Sequence, residues 1–255
     1  MIKIIHHKNP ILFWLGAIHL IVFTLLLLYY PFNDTFILGI NSVVKPMKFA
    51  LSIWIYSWTM ALILSYFQDK KKVKVYTYVA VVAMCFEQIA ITSQALRGEL
   101  SHFNTANTYG IILFALMGVF ILTITLWTAY MTFIFIKQKE YALPAEMVLS
   151  IKTGLVYFVI FSLLGGYISG LKGHTVGAAD GGEGLWFLNW STLFGDLRVA
   201  HFFGIHSLQI VPLFTILMSR FRLHITTKTV RLFSIVYLAY VLYTLAQGLK
   251  GLPFL

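Results

Sequence analysis

At 255 residues, 59% of them hydrophobic and only 11% charged, the chain lies far from a soluble domain, in which roughly 25% of residues carry charge. Its 19 Lys and Arg against 9 Asp and Glu leave a net +10, which in so apolar a chain reads as anchoring cations in cytoplasmic loops and excludes a nucleic-acid surface. The single cysteine, Cys85, excludes an intramolecular disulfide and any CxxC redox or zinc motif, so a metal would have to be held by His and carboxylates.

The N-terminal stretch MIKIIHHKNP is basic. The apolar run behind it is as long as a full span and has no small-residue cleavage site, so it reads as a first membrane helix and not as a signal peptide. A bilayer core about 30 Å thick takes roughly 20 apolar residues as helix. Runs of that length between charged or Gly/Pro-rich breaks predict seven spans, at about 11–31, 49–66, 75–96, 110–136, 153–171, 199–219 and 232–249. The expected fold is an all-α integral membrane bundle of seven helices, one polytopic domain over 1–255.

Cytoplasmic loops carry the excess of Lys and Arg. Thirteen of the 19 fall at the N-terminus and after spans 2, 4 and 6: Lys3 and Lys8; Lys70, Lys71, Lys72 and Lys74; Lys137, Lys139 and Lys152; Arg220, Arg222, Lys228 and Arg231. The N-terminus is therefore expected in the cytoplasm and the C-terminus outside, in a membrane of the bacterial cytoplasmic (inner) type. The loop 172–198 then lies outside, its GAADGGEG turn leading into the aromatic LWFLNW, and is suited to cap an opening.

Self-similarity is the next expectation. An offset near 150 sets Lys48 on Arg198, Tyr56 on His206 and Ser57 on Ser207; an offset of 153 sets QALRG at 94–98 on QGLKG at 247–251. These matches suggest two parallel three-helix repeats, 10–98 and 150–251, around a lone span 4. A third echo, SGLKG at 169–173, joins them as a helix end.

At 100° per residue, each of three spans carries a polar stripe. In span 2, Lys48, Ser52, Tyr56 and Thr59 share an arc of about 80°. In span 3, Glu87, Gln94 and Arg97 align with Ala83 and Ala90. In span 6, Arg198, His201, His206, Gln209 and Pro212 fall within about 140°. Lipid cannot satisfy such groups, so they are expected to line a polar pocket open to the outer face.

Glu87 is the sharpest residue. A carboxylate at that depth costs roughly 3 kcal/mol or more unless paired or protonated, and His206 or His19 is the expected partner. His201 and His206 are five residues apart and do not share one metal on a regular helix. With His102 and Asp196, however, they could build a site between helices, and His174, Asp180 and Glu183 lie at the same mouth. Zinc, iron or copper suits such a donor set; haem held by His19 and His206 is a lesser alternative.

These residues support three readings. In the first, a membrane-embedded metalloenzyme acts on a lipid-like or small substrate, with Glu87 moving protons and Arg97 and Arg198 holding an anionic group. In the second, a proton-coupled carrier transports a small solute. In the third, a non-catalytic subunit binds a ligand in a pocket that includes Lys48, Tyr56, Gln94 and Gln209. The bilayer is the partner common to all three.

Overall fold

The computed structural model describes residues 2–182 and 184–255; Glu183 therefore lies outside the described residues. The helices are α1 (Ile2–Lys8), α2 (Pro10–Tyr29), α3 (Val44–Leu64), α4 (Lys70–Leu96), α5 (Thr108–Lys137), α6 (Ala145–Leu171), α7 (Leu197–Arg220) and α8 (Thr227–Leu249). Among the described residues, seven helices, α2 to α8, are long and apolar enough to cross a bilayer, and they are the seven predicted spans. The end reached by the C-termini of α2 and α4 is called outer here, after the charge distribution. On α2 the exposed side chains Ile11, Trp14, Ile18, Ile21, Leu25 and Leu28 recur at helical spacing. That stripe is a surface for lipid.

Several helices begin earlier than hydropathy suggests. α4 takes the Lys70–Lys74 run into its first turns because Asp69 caps it, its side chain accepting the Lys72 N–H at 3.0 Å. Asn9 likewise caps α2 by accepting from Leu12 N, with Pro10 at the first helical position. α3 starts at Val44, so that Lys45 and Lys48 belong to its first two turns.

The chain forms two compact units, and the boundary falls within α5. The first holds residues 1–65, 69–124 and 180–189; the second holds 66–68, 125–179 and 190–255. In the first, α2 crosses α3 at Gly16, where a Cβ would lie 2.5 Å from Trp58. In the second, α6 crosses α7 at Gly154, where a Cβ would lie 2.9 Å from the Ser207 carbonyl oxygen. Small residues permit such approach where packing, not water, holds helices together.

Each unit also carries a two-residue antiparallel ladder. In the first unit β1 (Phe36–Ile37) pairs β2 (Ile40–Asn41), with Phe36 opposite Asn41. In the second, β3 (Thr175–Val176) pairs β4 (Gly195–Asp196), with Thr175 opposite Asp196. Segment 180–189 lies over the outer end of the first unit: Gly182 N donates to Leu38 O, and Phe187 packs on the cluster of Leu26, Val43, Val44 and Met47.

The ends of α4 and α8 share one cap. Gly98 (φ +69°) and Gly251 (φ +74°) turn left-handed, which glycine does without steric cost. Glu99 N donates to Gln94 O and Leu252 N to Gln247 O. Each glutamine side chain then donates to the carbonyl six residues on, Leu100 or Pro253. At the third echo the left-handed residue is Lys172 (φ +56°), one place before Gly173.

Candidate functional site

Glu87 sits nine residues, or about 14 Å of helix, inside the outer end of α4. It is 1% exposed, and neither carboxyl oxygen has a hydrogen-bond partner among the described residues. The expected pairing with a histidine is therefore not made. His206 belongs to the second unit, where its Nδ1 lies 3.3 Å from Gln209 Oε1 and its ring packs on Phe202. His19 places Nδ1 2.7 Å from the Leu15 carbonyl, within its own helix, and its ring is in reach of the Met84 carbonyl, one turn below Glu87. Lys45, in the first turn of α3, is a positive charge close enough to be felt at Glu87.

Other buried polar atoms of the first unit share this condition. Gln88 donates to Pro46 O at 3.3 Å and to Thr92 Oγ1 at 2.9 Å, tying α4 to α3, and its Oε1 has no partner. Gln94 is fully buried; its Nε2 donates to Leu100 O and Glu99 Oε2, and its Oε1 has no partner. On α3, Ser57 Oγ and Trp54 Nε1 are buried without one. Toward the inner end, the hydroxyls of Tyr56 and Tyr76 bond to each other.

Above this interior the loop after α4 is organised by Glu99. Its Oε1 accepts from Arg97 Nη2 at 3.1 Å; its Oε2 accepts from Asn104, Asn107 and Gln94. The Asn107 side-chain hydrogen bond, with Arg97 and Asn104 adding to it, holds the Glu99 carboxyl below the usual range. Arg97 also stacks 4.7 Å over Tyr109. His102 accepts or donates at Ser101 Oγ (3.2 Å) and lies among Phe49, Phe103 and Phe114. Lys48 donates to Leu188 O at 3.0 Å and Asn189 Oδ1 at 3.1 Å, so this predicted pocket residue ties down the covering segment.

The remaining predicted residues have structural partners in the second unit. Asp196 caps α7 through Arg198 N (2.9 Å), accepts from Arg198 Nε and Nη2 (2.6 Å to the latter), and accepts Ser191 N at 2.9 Å. Four donors fill its lone pairs, which leaves none directed at a metal. Arg198, expected to hold an anionic group, has Asp196 as its anion. His201 Nδ1 lies 2.7 Å from the Phe161 carbonyl on α6. Of the proposed ligands, His102 belongs to the first unit and His201, His206 and Asp196 to the second. Among the described residues, no three His, Cys, Asp or Glu side chains form a group able to hold a metal ion.

Sequence reading missed Lys45, Gln88, Trp54 and Ser57. Lys45 had a signal: it lies three residues before Lys48, on the same helical face. Gln88 lies 100° off the Glu87 stripe and had none.

Comparison with protein-family models, with curated proteins and with solved structures finds no match.

Proposed function

We propose that the protein is a proton-linked membrane carrier of a small solute bearing N–H or O–H groups, with Glu87 as the residue that takes up and releases the proton. The carrying observation is a carboxyl group buried in a membrane-spanning helix with both oxygens unpartnered. A carboxylate there without a hydrogen bond costs roughly 3 kcal/mol or more, and protonation avoids that cost. Releasing the proton then requires water or a solute donor to reach the group, which couples proton movement to occupancy.

The class of solute follows from the neighbouring atoms. Once Glu87 has released its proton, its Oε1 and Oε2, like Gln88 Oε1 and Gln94 Oε1, are acceptors without donors. Each costs on the order of 1–3 kcal/mol to leave unsatisfied. A ligand that brings hydrogens removes that penalty; one that brings only lone pairs adds to it. The metal-enzyme reading has less support, because its four expected ligands do not form a donor group and Asp196 is already saturated.

The test is proton influx into proteoliposomes driven by a potassium diffusion potential, read by an entrapped pH dye, with methylammonium as the probe solute. Wild type is expected to acidify the lumen, and Glu87→Gln to lose at least tenfold in rate at unchanged helicity and thermal stability. Equal rates in the two proteins would sink the proposal. Stoichiometric zinc, iron or copper in protein purified without chelators would turn the assignment back to the metal enzyme.

A further inference from the structure

Away from Glu87, the opposite end of the first unit contains a cavity of about 250 Å³ whose walls include His7, Lys8, Asn9, Ser65 and Lys70. We infer that this cavity binds a phosphate-type oxyanion, carried either by the headgroup of an anionic lipid or by a free phosphate ion. The inference stands on a different set of residues from the proposed proton site and does not depend on it.

Three of the lining side chains are basic, and none is a carboxylate. The acid nearest in sequence, Asp69, is turned into its own helix: it accepts the Lys72 N–H at 3.0 Å and pairs the Lys72 ammonium at 3.0 Å. The Asp69 charge is thereby matched by Lys72, and Asp69 is not among the residues that line the cavity.

Two of the lining residues, Asn9 and Lys70, are held by hydrogen bonds, whereas His7 and Lys8 are exposed side chains at the end of α1. Asn9, 8% exposed, donates to Thr77 Oγ1 at 2.9 Å and accepts from Leu12 N, joining the start of α2 to α4. Lys70 donates to the Ser65 carbonyl at 3.1 Å, which holds its ammonium at the rim and satisfies the end of α3. His7 and Lys8 close α1 on the other side. The volume is several times the roughly 30 Å³ that one liquid water occupies, so the space admits more than solvent.

By the distribution of Lys and Arg this end faces the cytoplasm, where anionic headgroups lie at the level of the helix ends. Basic pockets between membrane helices on that side recognise phosphate-bearing headgroups, whereas surface lysines outside a pocket attract any anionic surface alike. That difference decides the experiment.

The full chain is analysed by native mass spectrometry from detergent with added phosphatidylglycerol or phosphatidylcholine, and by thermal melting with and without millimolar inorganic phosphate. Phosphatidylglycerol is expected to be retained over phosphatidylcholine. Lys8→Gln with Lys70→Gln should lower that retention by roughly fivefold per charge removed, while Lys71→Gln with Lys74→Gln should leave it unchanged. Lys8→Arg with Lys70→Arg should restore it, which separates charge recognition from misfolding. If phosphate raises the melting temperature of wild type but not of the double Gln variant, and no lipid is retained, the ion is the ligand. The inference is overturned if neither ligand is preferred, or if the Lys71 and Lys74 variant loses as much as the Lys8 and Lys70 variant.

Discussion

The two units differ in how completely buried polar groups are satisfied. In the second, hydroxyls and carboxylates close on partners: Ser150 on Thr215, Ser207 on the Gly154 carbonyl, Tyr157 on the Ser234 carbonyl, Asp196 on Arg198. In the first, all six buried side-chain atoms that lack a partner among the described residues are found, on α3 and α4 alone. Buried polar groups are almost always satisfied, and departures from that rule in natural proteins gather at functional or strained sites. The difference is that unmet hydrogen-bonding capacity among the described residues is confined to the first unit.

Substitutions can break this contrast, and the largest effect is expected in the second unit. Asp196→Ala removes the cap of α7 and leaves Arg198, whose side chain is 29% exposed, without its anion. Losing one member of a buried pair costs about 3–5 kcal/mol, and the remaining exposure of Arg198 places the loss near the lower figure, about 3 kcal/mol. Thermal unfolding in detergent measures it. If Asp196→Ala unfolds like wild type, the second unit is not the satisfied scaffold described.

Next comes Gly204→Ala on α7. A Cβ there would lie 2.1 Å from Phe161 Cγ and 2.3 Å from its Cβ, atoms close to the α6 backbone. Overpacking of this kind costs about 1–3 kcal/mol, whereas Gly118→Ala, with nothing within 4 Å, should leave unfolding unchanged or slightly raise the midpoint. The paired melting curves read both.

In the first unit the same logic inverts. Glu87→Gln removes a buried ionisable group that has no hydrogen bond to lose, so stability should hold or rise by about 1 kcal/mol while the proton influx proposed above is lost. A loss comparable with that of Asp196→Ala would show that Glu87 is structural after all.

The smallest effect is a pH dependence at Glu99. Its carboxyl is held below its ordinary value, so the order it gives to the loop 97–107 is present at neutral pH and lost as pH falls through that lowered value. Amide exchange in the loop should accelerate under acid before exchange in α4 does. Lys48→Met should accelerate exchange in 180–189 alone, at any pH, because it removes the two bonds to Leu188 and Asn189.

Hydropathy and charge made the membrane fold legible because spanning length and apolar composition are local properties of the chain. Helix starts were not: Lys70–Lys74 looks like a loop, yet Asp69 caps it into α4. Glu87 stood out because its cost at depth needs no knowledge of neighbours. Asp196 carries a second mark in the sequence, since Asp immediately before a helical run is the sign of a cap, and the structure gives it that role on α7. The roles of His201 and of Lys48 depended on the Phe161 and Leu188 carbonyls, far away in sequence, which no spacing within α7 or α3 reveals.

Gln94 carries one more implication. Its amide nitrogen is claimed by Glu99 and Leu100 on the outer side, so its oxygen is obliged to point the other way. Turning the carboxamide over would forfeit both bonds and set an oxygen against a carboxylate. The loop after α4 thus fixes the sense of the carboxamide: Gln94 gives its hydrogens to Glu99 and Leu100 and keeps an oxygen that can only accept.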